Sequence, residues 1–220
     1  MKLSTLIDSI EFVKLSNEPE AVIGNINKIV VQDSCIYILD RYKTKSLKKF
    51  SRRGNYLTII GKQGAGPEEY IEPTDFIVWD NEIIVYDQFK SDLKFYDLSG
   101  NFKYAKRTPF LFFKFALLSS NQYIFNSISM DGNSHLPSIN DYQIFVTDST
   151  FQIDYRGFLS SKDKFSNYIV ENNFTSYRGK IFVHPIFSDT LPMEYQEFRT
   201  SVCAGIRHYS SIRYYQPGAL

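Results

Sequence analysis

The side chains that could do chemistry in this chain are mainly basic and aromatic. Arg41, Tyr42, Lys43 and Lys45 follow one apolar run, and Gln88, Phe89, Lys90 and Asp92 follow the next. Aromatic rings beside hydrogen-bonding and cationic groups suit a sugar, or an anionic peptide or glycan. These two clusters therefore contain the first candidate binding residues.

A Gly-rich segment, Gln63–Tyr70, lies between the two clusters and adds Glu68 and Glu69. The full set of candidate ligand-binding residues is Arg41, Tyr42, Lys43, Gln63, Glu68, Glu69, Tyr70, Gln88, Phe89 and Lys90. A second interpretation stays open, in which the two aromatic rings pack inside the fold and the lysines are only solvated.

The sequence contains no catalytic signature. It has no Gly-x-Ser-x-Gly elbow for a serine nucleophile. None of the three histidines lies at metal-ligand spacing from a cysteine or a carboxylate, so no metal or cofactor is predicted. They are His135, His184 and His208. Four aspartates each close an apolar run, where capping a turn is the usual role of an acid. They are Asp40, Asp87, Asp97 and Asp148.

Two segments resemble sites for phosphate groups without meeting the requirements. Residues 61–67, GKQGAGP, lack the Gly-Lys-Ser/Thr ending of a phosphate loop, and no helix is predicted after them. Seven cations lie between Arg41 and Arg53, yet no nucleic-acid motif accompanies them and the formal net charge is +1. We therefore predict no nucleic-acid partner.

Composition points to a globular sheet protein. The 220 residues are 43% hydrophobic and 16% aromatic, and 16 Tyr and 19 Phe outweigh a single Trp. Cys35 and Cys203 are predicted to be separate buried thiols. No apolar run reaches the roughly 18 residues of a membrane helix, so no transmembrane segment is predicted. The first residues do not have the pattern of an export signal.

An internal repeat organises the chain. Ile36–Asp40 aligns with Ile83–Asp87, and Gly54 aligns with Gly100 after a slip of one residue. Each unit contains four short runs rich in Ile, Val, Tyr and Phe, separated by Asp- or Gly-containing turns. The predicted strands are Lys28–Gln32, Ile36–Asp40, Leu47–Ser51 and Tyr56–Ile60, then Asp75–Trp79, Glu82–Asp87, Asp92–Asp97 and Phe102–Lys106.

Four antiparallel strands in about 45 residues make one propeller blade, so we predict an all-β fold, a β-propeller with about four blades. The predicted blades cover residues 28–60, 74–107, 112–159 and 165–200. Residues 1–27 form an N-terminal lead whose Ile7–Leu15 run alternates like a strand. Such a strand could complete the last blade and close the ring, or the run could be an edge strand or a disordered lead. Residues 201–220 form an irregular tail. Further strands are predicted at Phe113–Leu118, Gln122–Ser127, Gln143–Thr147, Phe151–Phe158, Tyr168–Asn172, Lys180–His184 and Tyr195–Phe198.

The predicted blades place the candidate residues on one surface. The loop between the second and third strands of a meander blade lies at the same end as the linker to the next blade. The two clusters and the Gln63–Tyr70 linker are therefore expected on one face, and binding groups collect on such loops.

The segment from Gly61 to Phe102 resembles a family of six-bladed, NHL-repeat-like β-propellers of Bacteroides-type bacteria. The similarity lies in the order of its motifs: Ile-Gly, then Gln-Gly-x-Gly-Pro-x-Glu-Tyr, then Pro, then Asp-Phe. Three further segments are similar to the family, namely Ile7–Leu15, Gly24–Asp40 and Phe187–Thr190. The resemblance implies a periplasmic or cell-surface protein. This chain departs from the family in having about four blades and no export signal, which suggests a truncated product.

We predict from these features a non-enzymatic binding module of the cell envelope, with a glycan or peptide ligand. Two alternatives stay open. Some propellers use strand-closing acids to hold Ca²⁺ or another divalent ion, which would give a metal-dependent lactonase or lyase by fold analogy alone. The chain could also be a non-functional fragment.

Overall fold

The protein is described by a computed structural model that covers residues 9–127, 133–159, 174–177, 180–183 and 193–195. Across these residues the chain forms successive antiparallel sheets, each a simple meander in which neighbours along the chain are neighbours in the sheet. Consecutive sheets contact one another through their first strands. The fold is therefore an all-β, partial β-propeller, as the repeat predicted.

The first two blades are regular four-stranded sheets. Blade 1 contains β1 Lys28–Gln32, β2 Cys35–Asp40, β3 Ser46–Ser51 and β4 Tyr56–Ile60. Blade 2 contains β5 Pro73–Trp79, β6 Glu82–Asp87, β7 Asp92–Asp97 and β8 Phe102–Arg107. All eight strands were predicted, with bounds that differ by at most two residues. Pro73 lies at the first residue of its strand, where a missing backbone donor is tolerated.

The third and fourth sheets are less regular. Blade 3 contains β9 Lys114–Ser119, β10 Gln122–Asn126, β11 Tyr142–Asp148 and β12 Ile153–Leu159. A helix of four residues, α1 Pro137–Asn140, lies in the loop between its second and third strands. The described part of the fourth sheet contains β13 Phe174–Tyr177, β14 Lys180–Val183 and β15 Met193–Tyr195. The predicted strand Tyr168–Asn172 and the tail lie outside the described residues.

Apolar side chains from alternate strand positions fill the spaces between blades. Tyr37 and Leu39 face blade 2, where they pack with Ile83 and Val85 of that blade. The next positions along β6, Ile84 and Tyr86, face blade 3 and join a cluster rich in phenylalanine. This alternation is the period-2 pattern of a strand that is buried on both faces.

The tight turns have the backbone that the sequence required. Asp33 and Asp80 adopt positive φ angles of 53° and 52° in the turns after β1 and β5. Gly54 and Gly100 have φ angles of 88° and 90° in the turns after β3 and β7. A Cβ at Gly54 would lie 2.1 Å from the Lys14 carbonyl oxygen, so this turn needs glycine for close approach as well as for φ.

The strand interpretations of the opening run are wrong over the residues that the structure describes. Residues 9–17 form no strand, and Ile10 and Phe12 are 69% and 93% exposed. The segment is fixed instead by the turn after β3, where the Ser16 amide donates to the Gly54 carbonyl at 2.9 Å. Alternating apolar residues give a strand only where a hydrogen-bonding edge is available, and this lead lies over a turn.

A buried ionic group joins the first strands of blades 1, 2 and 3. The Asp75 carboxylate has no exposed surface, and its Oδ1 lies 2.8 Å from Lys28 Nζ and 3.8 Å from Lys114 Nζ. Its Oδ2 accepts a hydrogen bond from the Phe115 amide at 3.1 Å. One carboxylate thus contacts cations from both neighbouring blades. Burial, partly offset by Asp75, lowers the pKa of Lys28.

Candidate functional site

Asp40 and Asp87 cap the loops that carry the two candidate clusters. Asp40 Oδ1 accepts from the Lys43 amide at 2.9 Å, and its Oδ2 accepts from the Gly24 amide at 2.8 Å. Burial alone would raise the Asp40 pKa, but these hydrogen bonds, with those from Asn25 and Thr44, lower it. The aspartate thus ties the loop to the segment that enters the blade.

Asp87 repeats this arrangement in blade 2. Its Oδ1 accepts from the amides of Phe89 at 3.0 Å and Lys90 at 3.3 Å, and its Oδ2 accepts from the Ile71 amide at 2.7 Å. In both loops the residue before the third strand has positive φ, 46° at Lys45 and 53° at Ser91. The two loops are therefore structural equivalents, and their strand-closing aspartates cap turns as predicted.

The Gln63–Tyr70 linker is held by side chains of blade 2. Lys90 Nζ donates to the carbonyls of Gly66 at 2.6 Å and Glu69 at 2.7 Å. The Tyr96 hydroxyl donates to the Glu68 carbonyl at 3.0 Å, and Lys94 Nζ contacts the Pro67 carbonyl at 2.9 Å. The lysine ammonium groups thus satisfy backbone oxygens of a non-strand segment.

The linker glycines make room for the carboxylate of Glu69. Glu69 Oε2 accepts the Gly66 amide at 2.8 Å, and Lys62 Nζ lies 3.1 Å from Oε1. A Cβ on Gly64 would lie only 2.0 Å from Oε2. The hydrogen bond from Gly66, and then Lys62, lower the Glu69 pKa. The chain's own carboxylate therefore occupies this Gly-rich turn, which leads into a strand rather than a helix.

Tyr70 lies inside the fold. Its side chain has no exposed surface, and its hydroxyl donates to the Ile60 carbonyl at 3.0 Å. The Leu47 amide lies 3.5 Å from the same hydroxyl oxygen. Burial raises the Tyr70 pKa. This tyrosine fixes the linker to blade 1, so we leave it out of the surface that a ligand could contact.

A charged bridge joins the two loops at their common end. Arg41 Nε lies 2.8 Å from Glu72 Oε1, and Arg41 Nη2 lies 3.5 Å from Gln88 Oε1. Lys45 Nζ is 3.6 Å from the other Glu72 oxygen. The Arg41 guanidinium also lies over the Tyr42 ring, 5.2 Å from its centroid. Glu72 is not among the candidate residues predicted from the sequence. An acidic residue just before a proline gives no pattern from which an ion pair between two loops could be predicted.

Two aromatic rings stand out from this end of the blades. Tyr42 is 49% exposed and Phe89 is 65% exposed, and each is the second residue after a capping aspartate. Lys43 is exposed beside Tyr42. We call Arg41, Tyr42, Lys43, Gln88 and Phe89 the loop face. The structure brings these five predicted residues together on adjacent loops, while Lys90, Glu69 and Tyr70 are engaged in holding the linker.

The other two linker candidates, Gln63 and Glu68, make their contacts mainly through the backbone. Gln63 forms an isolated bridge with Tyr70, and its side-chain amide lies 3.4 Å from the Ile71 carbonyl. The Glu68 carbonyl accepts from Tyr96, and the Glu68 side chain is exposed. Both residues lie on the linker between the two loops.

The basic run between Arg41 and Arg53 does not form one cationic surface. Lys48 Nζ donates to the Val22 carbonyl, at 2.5 Å, and Lys49 Nζ donates to the Leu98 carbonyl at 2.7 Å. Arg41 and Lys45 share Glu72. Alternation along a strand sends neighbouring lysines to opposite faces.

The described residues contain no group of three or more His, Cys, Asp or Glu side chains that could hold a metal ion. His135 is exposed, and its Nε2 lies 3.2 Å from the Pro109 carbonyl. His184, His208 and Cys203 lie outside the described residues, while Cys35 is a partly buried free thiol. The divalent-ion site of the enzyme alternative therefore has no donor set in the part of the chain that the structure describes.

A family described as "Domain of unknown function (DUF4934)" matches residues 1–191. The chain belongs to this family. The match extends over the repeat, the Gly-rich linker and the loop face, so the arrangement described above lies within the DUF4934 region. No curated protein matches the chain. Among the described residues of this DUF4934 protein, no helix has the length and apolar character needed to cross a membrane.

Solved structures are similar to this DUF4934 chain to different degrees. A Bacteroides fragilis protein, whose description suggests export, is 24% identical, with a TM-score of 0.75 over 86% of this chain and 52% of that one. A Bacteroides caccae protein of unknown function is 11% identical, with a TM-score of 0.44, over 58% and 47%. The WD40 domain of Neurospora crassa Pan2 is 14% identical, with a TM-score of 0.44, over 73% and 43%. The chain spans about half the length of these proteins.

Proposed function

We propose that this chain is a non-enzymatic β-propeller binding module of the bacterial cell envelope, and that the loop face takes a glycan or peptide ligand. The observation that carries the proposal is the pair of exposed rings at matching positions in consecutive blades. Tyr42 and Phe89 follow equivalent capping aspartates and are 49% and 65% exposed. Two aromatic platforms on neighbouring repeats suit an extended ligand that crosses from one blade to the next.

The loops that carry these rings are held firmly by the fold. Asp40 and Asp87 fix the loop backbones, and Arg41 bridges to Glu72 and Gln88 across the two blades. A ligand that binds to such loops orders few additional groups, so little affinity is lost to conformational entropy. Rigid aromatic and arginine side chains are also the residues that most often dominate binding energy at protein surfaces.

Charge on the loop face favours a ligand that carries carboxylates. Glu72 lies against two cations, Arg41 and Lys45, and Lys43 adds a further exposed cation. The carboxylates of Asp40 and Asp87 accept backbone amides and are directed into their loops. An acidic glycan, or a peptide with acidic side chains, fits this surface better than a neutral ligand.

Two features support a location in the cell envelope. The sequence resembles NHL-repeat-like six-bladed propellers of that compartment, and the fold is similar to a Bacteroides fragilis protein whose description suggests export. Membership of the NHL-like group and a six-bladed ring are part of the proposal. No observation on the described residues favours the metal-dependent enzyme, so we propose no reaction.

The proposal is tested by binding to defined probes. We suggest affinity gel electrophoresis in gels that contain a neutral polysaccharide or one rich in uronic acid, together with an acidic peptide library. The double variant Tyr42→Ala/Phe89→Ala should weaken binding at least about tenfold, because each hot-spot ring contributes about 1 kcal/mol or more. Trp79→Ala is the matched control, since Trp79 is 38% exposed at the other end of blade 2. Equal loss in both variants, or no binding to any probe, would contradict the proposal.

A further inference from the structure

Lys45 has a backbone conformation that its residue type does not favour. It is the last residue of its loop before β3, and its φ angle is 46°. Glycine or asparagine is the usual choice in this left-handed region, because a bulkier side chain is strained there. The turn itself does not require a lysine, since Ser91 has a φ angle of 53° at the equivalent position of blade 2. Residues held in such conformations concentrate at functional sites, which makes the lysine itself informative.

The ammonium group of Lys45 lies at the charged bridge between the two loops. Its Nζ is 3.6 Å from Glu72 Oε2, while Arg41 Nε is 2.8 Å from Oε1 of the same carboxylate. At 3.6 Å the ammonium group forms an ion pair but lies beyond hydrogen-bonding distance. The Lys45 side chain is 36% exposed. Within the part of the chain that the structure describes, its N–H donors can therefore bind an incoming group without breaking a hydrogen bond.

The charged bridge extends from one exposed ring to the loop of the other. The Arg41 guanidinium lies over the Tyr42 ring, 5.2 Å from its centroid. Its Nη2 is 3.5 Å from Oε1 of Gln88, the residue before Phe89. Because Lys45 contacts the same carboxylate as Arg41, its charge lies along the path between the two rings. A ligand that covers both rings would therefore pass the Lys45 ammonium group.

The backbone of the two loops offers few hydrogen-bonding groups to a ligand. Asp40 accepts the Lys43 amide at 2.9 Å, and Asp87 accepts the amide of Phe89 at 3.0 Å. Extended peptides that add to the backbone of a domain are bound through main-chain hydrogen bonds, and these amides are already engaged. The loop face instead presents rings and cations. Flat rings pack against the C–H faces of a sugar, and a cation pairs with a carboxylate, so this chemistry favours a glycan that contains uronic acid.

We propose that Lys45 is a binding residue that selects an acidic glycan, by donating a hydrogen bond to a uronic acid carboxylate seated between the Tyr42 and Phe89 rings. This role rests on the proposed function, since the loop face must bind a ligand for Lys45 to select it. Arg41 and Lys45 share the single carboxylate of Glu72, which leaves one excess positive charge at the bridge. A ligand carboxylate balances that charge, whereas a neutral sugar does not.

Replacing Lys45 with asparagine separates binding from stability. Lys45→Asn suits the left-handed backbone and removes only a partly exposed ion pair, so the thermal unfolding temperature should not fall. In affinity gel electrophoresis with polygalacturonate or alginate, its binding should be about tenfold weaker than wild type, as expected for one hydrogen bond to a charged group. Lys45→Arg keeps the charge and should retain most of the affinity. The same polymers with their carboxylates reduced to alcohols should bind wild type and Lys45→Asn equally.

Two control variants separate the position of Lys45 from the effects of backbone strain and net charge. Ser91→Asn places asparagine at the equivalent left-handed position of blade 2 and should leave glycan binding unchanged. Lys103→Asn removes a 44% exposed lysine that pairs with Glu82 at the other end of blade 2, and should also leave binding unchanged.

The possible outcomes distinguish this role from the proposed function. If Tyr42→Ala/Phe89→Ala abolishes binding while Lys45→Asn binds like wild type, the loop face remains the binding surface and the role of Lys45 is refuted. The role is also refuted if Lys45→Asn lowers the unfolding temperature, or loses affinity equally for intact and reduced polymers. Wild-type protein that binds polyglutamate but neither uronate polymer would overturn the glycan assignment and leave a peptide site. Absence of binding to all of these probes would contradict both proposals.

Discussion

Replacing Asp75 with asparagine tests the ionic junction of the first three blades. The substitution Asp75→Asn keeps the shape of the side chain and an oxygen that can accept the Phe115 amide, but it removes the negative charge. The two lysines that contact Asp75 would then remain in the interior without that charge. Lys28 and Lys114 side chains are only 18% and 5% exposed.

The expected loss of stability follows from this burial. Removing one member of a buried ion pair costs about 3–5 kcal/mol, because the remaining charge stays desolvated. The Lys28 side chain keeps 18% of its surface exposed, so the expected loss lies near the lower end, at about 3 kcal/mol. Since domains are stable by only about 5–15 kcal/mol, the effect is large and easily measured.

The effect should also depend on pH with a defined sign. Burial lowers the pKa of Lys28 below 10.5 in the folded protein. Between the folded pKa and 10.5 the unfolded chain binds more protons, so the contribution of Lys28 to stability rises with pH in this window. Loss of Asp75 lowers the folded pKa further and widens the window. The difference between wild type and Asp75→Asn is therefore greatest near neutral pH and shrinks toward pH 10.5.

Urea unfolding followed by circular dichroism and Trp79 fluorescence measures these differences. Asp80→Asn is the control, because Asp80 is an exposed turn residue with φ of 52°, a conformation that asparagine adopts readily. The double variant Asp75→Asn/Lys28→Met should recover part of the loss. A change below about 0.5 kcal/mol in Asp75→Asn, which is typical of surface sites, would refute the reasoning.

Three further predictions concern the linker and the buried tyrosines. Asp87→Ala should cost roughly 2–4 kcal/mol in urea unfolding and speed proteolysis within residues 61–72, because three backbone amides, including that of Ile71, lose their acceptor; unchanged cleavage would contradict this. Gly64→Ala should lower the thermal unfolding temperature, because the new Cβ would lie 2.0 Å from the Glu69 carboxylate. Adding Glu69→Ala should relieve part of this loss. Purely additive effects of the two substitutions would contradict the prediction. Buried tyrosines with raised pKa values should ionise only as the protein unfolds, so stability falls as pH rises above 10, and absorbance at 295 nm should increase together with the loss of circular dichroism; a smooth titration of all tyrosines near pH 10 would contradict this. These tyrosines are Tyr70, Tyr86 and Tyr96.

The sequence predicted the blades because each local signal pointed the same way. In Ile36–Asp40 and in Ile83–Asp87, alternate side chains point to the two sides of the blade, and both sides are apolar. Asp33 and Asp80 mark the turns that precede these two strands. Short apolar runs between such turns leave little choice of secondary structure. The opening run at Ile7–Leu15 shows the limit of this reasoning, because alternation alone does not supply a neighbouring strand.

The candidate residues were harder to assign, because exposure depends on distant contacts. Lys90 and Phe89 are adjacent in sequence, yet one ammonium group binds two linker carbonyls while the neighbouring ring is 65% exposed. Tyr70 lies in the most specific motif of the chain and is fully buried. The tyrosine of this motif therefore serves the packing of the linker, which only the three-dimensional structure reveals.

Blade 3 shows which part of the repeat the fold requires. At the position of the capping aspartate it has Ser127, since the Phe113 amide donates to the Asn126 carbonyl as the Asn27 amide donates to Leu39, the residue before Asp40. The segment entering the blade is held instead by Asn133 from the longer loop. Asn133 accepts the Leu111 amide and donates to the Leu111 carbonyl, each at 2.8 Å, and it is 1% exposed. The fold thus needs a buried acceptor at this point in space, whichever residue supplies it. Because Asn133 meets this need without an aspartate at the strand end, the residue type of the cap can change while the fold is kept.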